Sequence, residues 1–211
     1  MEKERARPRP RIETLGDLIF GLSLSVGSIA LIANSPSSPS DINSHILAFV
    51  FTFLMLITAW IIYTSQMSVL PVETRTVTFL NVLLLLLVAI TPYLLNNVEL
   101  GNPSLSPADL STVRDYASTL FAVDLGSILL ILAFFAHILS IEEKKLVAPE
   151  VARLIRGGRN TMLVLAAVMF ASTAPQLWSW TLFGLPLRMF IWYLPLIAYW
   201  GGRAVQSERR A

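Results

Sequence analysis

The sequence predicts an all-α integral membrane protein with six transmembrane helices and both termini on the cytosolic side. Two observations point there. The chain is apolar beyond the range of soluble domains: 55% of its 211 residues are hydrophobic and only 14% are charged, against about a quarter charged in ordinary globular proteins. Its basic residues are also segregated. With the N-terminus inside, all of the 16 Lys and Arg except Arg114 and Arg188 fall in cytosolic segments, the asymmetry that sets membrane topology.

The apolar stretches lie at about 13–34, 43–65, 76–97, 116–140, 160–181 and 184–202. Each is close to the roughly 20 residues needed to cross about 30 Å of hydrocarbon. Turn-rich segments separate the first four: NSPSSPSD, MSVLPVETR and NNVELGNPSLSP. Pro175, Gly184 and Pro186 interrupt the last two, which suggests a tight helical hairpin with kinks where proline removes a backbone donor. The domain plan is therefore a cytosolic basic arm (1–12), a six-span domain (13–202) and a cytosolic tail (203–211). The arm, rich in Arg and Pro, reads as topology-setting and not as a nucleic-acid ligand, and no cleavable signal peptide is expected.

Two loops carry legible signals. Ser106, Pro107 and Asp109 form an N-terminal box, so a short outer helix is expected to run into the fourth span. Pro149 and Glu150 open, and Gly157 and Gly158 close, a predicted one- to two-turn cytosolic helix bearing Arg153 and Arg156 beside anionic headgroups. Other features exclude functions. The absence of cysteine removes disulfides, thiol chemistry and cysteine-based metal sites. No Walker lysine loop, H-E-x-x-H or G-x-S-x-G appears, so no enzyme is expected and no cofactor or bound metal is implied. A T-V-G-Y-G-like filter is also missing, and no internal repeat suggests an inverted-repeat transporter.

Polar residues within the spans carry the functional argument, because each is costly in lipid. Asp17 lies about one turn into the first span, Trp60 and Tyr63 fall near the inner end of the second, and Asn81 sits at matching depth in the third. Trp, Tyr and Asn can each donate to a carboxylate, so a hydrogen-bond cluster around Asp17 is expected. The bland alternative is that Trp60 and Tyr63 are members of the interfacial aromatic belt. Asp124 and Arg188 have compatible depths from the outer face and are predicted to pair; Asp124 as a proton or cation site is the competing reading. His137 is expected to be an interfacial hydrogen-bonder and His45 an exposed loop-end residue.

Arg11-x-x-x-Leu15-Gly16-Asp17, Trp60-x-x-Tyr63, and Asn81 followed by Pro92 together resemble the transmembrane protein 175 family of potassium channels. The family signature is R-x-x-x-F-S-D on the first helix, W-x-x-H at the end of the second and N…P on the third. Arg11, Asp17, Trp60, Asn81 and Pro92 agree with it. Leu15 and Gly16 stand where the family has Phe and Ser, and Tyr63 where it has His, so the cluster must be wired differently here. The resemblance covers the first three spans; the last three carry no matching motif.

What the resemblance implies is a homotetrameric potassium channel in a cell membrane, with the lipid bilayer and monovalent cations as its partners and potassium as permeant ion. The first helices would line the pore, and its apolar constriction would fall on Leu22, Val26 and Ile29. Steps of four and three keep these three on one helical face. Gly21, Ser25 and Ser28 run beside them, as small residues for close helix approach or as hydroxyls near the axis. Two other functions stay open: a small proton-coupled secondary transporter using Asp17 or Asp124, and a non-conducting membrane scaffold related to the channels.

Overall fold

A computed structural model describes residues 11–33, 38–70, 74–99, 106–141, 148–182 and 185–208. In chain order the elements are α1 (Arg11–Ala33), α2 (Pro39–Met67), α3 (Arg75–Glu99), α4 (Pro107–Ser140), α5 (Pro149–Ala171), α6 (Gln176–Ser179), the strands β1 (Thr181–Leu182) and β2 (Leu185–Pro186), α7 (Leu187–Ile191) and α8 (Leu194–Glu208). The strands form a two-residue antiparallel hairpin; all other regular structure among the described residues is helical. Helices α2 to α5 are long and apolar enough to cross a bilayer, and α1 carries a shorter apolar run, Thr14–Ile29. The chain is a multi-pass integral membrane protein.

Local sequence explains the helix starts. At α4, Ser106 Oγ accepts from the Asp109 N–H at 3.2 Å and donates to Asp109 Oδ2 at 2.6 Å, with Pro107 at the first helical position. Ser106 is thus a side-chain N-cap whose hydroxyl is itself held by Asp109, and the helix it starts runs unbroken to Ser140. Ser38 and Pro39 start α2 in the same way, four residues before the predicted boundary. That places His45 inside α2, half-buried, and not at a loop end.

The C-terminal region departs from expectation. Helix α5 begins at Pro149, runs through Gly157 and Gly158, and ends at Ala171, so the predicted short connector and the fifth span are one helix. Two glycines cost about 1 kcal/mol each inside a helix; they weaken it and do not stop it. The end comes where Ser172 folds back, its N–H bonding the Val168 carbonyl and its Oγ the Met169 carbonyl. The predicted sixth span is broken into β2, α7 and α8, since Pro186 precedes α7 and Pro195 can occupy only the first turn of α8. Trp192 anchors the break: it is buried against Phe121, ring centroids 4.6 Å apart. The basic arm (residues 1–10), Gly184 and residues 209–211 lie outside the described residues.

Helix α4 is the hub, packing along α3 and α5, while α1 lies against α3 and α2. Two apolar clusters hold the bundle. One joins Phe20, Leu56, Tyr63, Leu84, Val88 and Phe135; the other joins Phe51, Leu95, Phe121, Met169 and Trp192. In lipid, association relies on close packing, and Gly126 supplies it: a Cβ there would lie 3.1–3.2 Å from Phe170 and Met169, so α4 and α5 touch nearly backbone to side chain.

Candidate functional site

Helix α1 has two faces of different kinds. Gly16, Phe20 and Ser23 are buried against α2 and α3. On the other side Leu15, Leu18, Leu22, Val26 and Ile29 follow steps of three and four and are 45–60% exposed. The three residues singled out in sequence thus form the outer part of a five-residue aliphatic stripe. Leu15 and Leu18 were not recognised as part of it, although their spacing to Leu22 carried the signal. Small residues border the stripe, and their hydroxyls are satisfied within the helix: Ser25 Oγ donates to the Gly21 carbonyl at 2.9 Å, Ser28 Oγ to that of Leu24 at 3.2 Å and Ser23 Oγ to that of Ile19 at 2.8 Å. Such back-bonding costs little and slightly bends a helix.

Near the N-terminal end of α1, Trp60 Nε1 donates to Asp17 Oδ1 at 2.9 Å. A charge-assisted bond of this kind ties α1 to α2 and fixes the carboxylate's direction. Tyr63 lies one turn further along α2, buried, with its ring 5.6 Å from that of Phe20. Its hydroxyl end faces Gly16: a Cβ at that position would lie 2.6 Å from Tyr63 Oη and 2.9 Å from Cε1. The larger ring at position 63 therefore occupies the volume vacated at position 16. Gly16 and Tyr63 form one complementary pair. Asn81 is fully buried in α3, yet its amide makes no hydrogen bond to any described residue. The cluster is therefore narrower than expected. Arg11 begins α1, and its side chain lies outside the described residues.

The predicted Asp124–Arg188 pair does not form. Asp124 Oδ2 accepts from Thr91 Oγ1 at 2.7 Å, between α4 and α3. Arg188, fully buried, is held by the first turns of α4 and by the residues that follow α5. Its Nη1 donates to Asp115 Oδ1 at 3.1 Å, Ser118 Oγ at 2.6 Å and Thr119 Oγ1 at 2.8 Å. Its Nε donates to the Ser172 carbonyl at 2.7 Å, and its Nη2 to those of Thr173 and Ala174 at 3.0 and 3.2 Å. The physical reason is the end of α5: just past it the Ser172 and Thr173 carbonyls have no backbone donor among the described residues and attract a cation, while that of Ala174 is shared with the Leu177 N–H. Asp124 lies nine residues past Asp115, roughly 13 Å deeper at the α-helical rise. His137 near the end of α4 meets Arg159 of α5, Nδ1 to Nη1 3.0 Å, which matches its expected role.

No protein-family model matches the chain, and no curated protein matches it. Among solved structures, it is similar to the crystal structure of a lysosomal potassium-selective channel TMEM175 homolog from Chamaesiphon minutus, with a TM-score of 0.60 and 17% sequence identity. The match covers 90% of this chain and 94% of that one. Along nearly its whole length, including the three C-terminal segments that carry no motif, the chain has the fold of that channel.

Proposed function

We propose that this chain is one subunit of a potassium-permeable cation channel of the transmembrane protein 175 family, a homotetramer in a cell membrane with α1 of each copy lining a central pore. One observation carries the reading: within that channel's fold, α1 turns an unpacked aliphatic stripe outward while its opposite face is fully engaged by α2 and α3. Four such stripes would stack Leu22, Val26 and Ile29 as apolar rings, which block hydrated ions by steric closure and dewetting. Ions would cross when the helices rotate or separate. The Asp17–Trp60 bond and the Gly16–Tyr63 fit would set the rotation of α1 and thereby decide which residues face the axis.

The test is cation flux from proteoliposomes under potassium and sodium gradients. Wild-type protein should pass potassium faster than sodium, and Leu22→Ala should raise the flux or reduce the preference. Absence of flux in both proteins, with the oligomer intact, would overturn the channel reading. Steeply pH-dependent, saturable flux would point to a proton-coupled transporter, for which Asp124, buried and bonded among the described residues to Thr91 alone, is the candidate carrier.

A further inference from the structure

A second feature involves no residue of α1. Between α2, α4, α5 and α8 is a cavity of about 680 Å3, within the roughly 300–1,000 Å3 of small-molecule sites. Its walls are apolar, among them Ile62, Leu129, Leu132, Leu154, Met162 and Leu196. They belong to the second halves of α2 and α4, to α5 as far as Met162 and to α8. Those segments all lie toward one membrane face, the one where the Lys and Arg are concentrated.

We propose that this groove seats an acyl chain of an anionic phospholipid from the cytosolic leaflet, with the lipid phosphate held by Arg203. Three observations support the assignment. No carboxylate lines the groove, and Arg203 lines it with its guanidinium 5.2 Å from the centroid of the Tyr199 ring. Stacking of this kind fixes the guanidinium plane and leaves its edge N–H groups for the forked contact that phosphate accepts. Among the described residues no carboxylate lies within ion-pair distance of Arg203. Gly157, Gly158 and Gly202 also line the groove, and a Cβ built at any of them meets nothing within 4 Å. These glycines serve no close contact within the chain; they keep the groove wide at a cost in helix propensity. Finally, Trp200 Nε1 donates to Thr58 Oγ1 at 3.1 Å, tying α8 to α2 so that the groove is a formed site and not a transient gap.

The assignment is independent of ion conduction and is tested by binding. Delipidated full-length protein is titrated with phosphatidylglycerol or phosphatidylcholine of identical chains and examined by native mass spectrometry. One arginine near the surface is worth about a fivefold preference for the anionic lipid. Wild-type protein should show that preference, Arg203→Gln should remove it, and Gly158→Leu should weaken binding of both lipids several-fold while the melting temperature in detergent does not fall, since loss of a helical glycine is stabilising. Glycerol phosphate alone should not bind. Equal binding of the two lipids by wild type, a preference that survives Arg203→Gln, or equal binding by glycerol phosphate would overturn the proposal. Lipid adducts confined to monomers and absent from the oligomer would overturn it in favour of a second copy of the chain in the groove.

Discussion

The contact between Gly16 and Tyr63 makes a quantitative prediction. Gly16→Ala places a methyl group 2.6 Å from Tyr63 Oη, 2.9 Å from Cε1 and 3.1 Å from Cζ. Tyr63 is 1% exposed and backed by Phe20, so the ring cannot swing into open space. Forcing a methyl into a packed site costs about 1–3 kcal/mol. Replacing glycine in a helix gains about 1 kcal/mol, so the single variant should lose roughly 0–2 kcal/mol. With Tyr63→His, a smaller ring without the phenolic oxygen, the clash is relieved and the same alanine should be stabilising. The coupling between the two changes is then about 1–3 kcal/mol. At roughly 2–4 °C per kcal/mol for a chain of this length, a double-mutant cycle of melting temperatures in detergent resolves it. Additivity to within about 0.5 kcal/mol, or a gain in stability from Gly16→Ala alone, would refute the argument.

Four further changes test the other contacts. Trp60→Phe keeps the ring and deletes the donor to Asp17; because Asp17 is exposed and can rehydrate, a thermal melt should show a loss of only about 1 kcal/mol. Arg188→Gln leaves the buried end of α5 without its cation and should cost about 3–5 kcal/mol, read as a large fall in melting temperature, with Arg188→Lys recovering less than half because an ammonium cannot fork between helices. Asp115→Asn should cost under about 1 kcal/mol, since that carboxylate is 45% exposed, and a loss as large as that of Arg188→Gln would contradict this geometry. Asp124→Asn should be neutral or stabilising, because its carboxylate has no cationic partner and an amide oxygen still accepts from Thr91; combined with Arg188→Gln its effect should add, and strong coupling would restore the pair expected from sequence.

Much of the fold was legible because lipid imposes a one-dimensional rule. Apolar length, proline punctuation and basic-residue asymmetry locate helices without knowledge of their neighbours, and the Ser106–Asp109 box marked the start of α4 within a residue. The Asp17–Trp60 bond was legible for a related reason: two polar residues at one depth on adjacent helices have few other partners. The end of α5 was illegible. Gly157 and Gly158 look like a stop signal, and helix interiors absorb that penalty when packing continues on both sides.

The failure at Arg188 follows from the same limit. Matching depths from the same membrane face paired it with Asp124, the carboxylate inside the fourth span. Yet three of its acceptors are the Ser172, Thr173 and Ala174 carbonyls, which every sequence position possesses and which become available only where a helix ends. A charge buried in a membrane protein can therefore be satisfied largely by backbone carbonyls and neutral hydroxyls, here those of Ser118 and Thr119, with a carboxylate as one contributor at the rim. The Gly16–Tyr63 fit shows the opposite case. There the signal was in the residues: a position without a side chain on one helix and a large ring on the next. Compensating volumes of this kind are legible once two positions are known to touch. Orphan carbonyls are legible only once the helix ends are known.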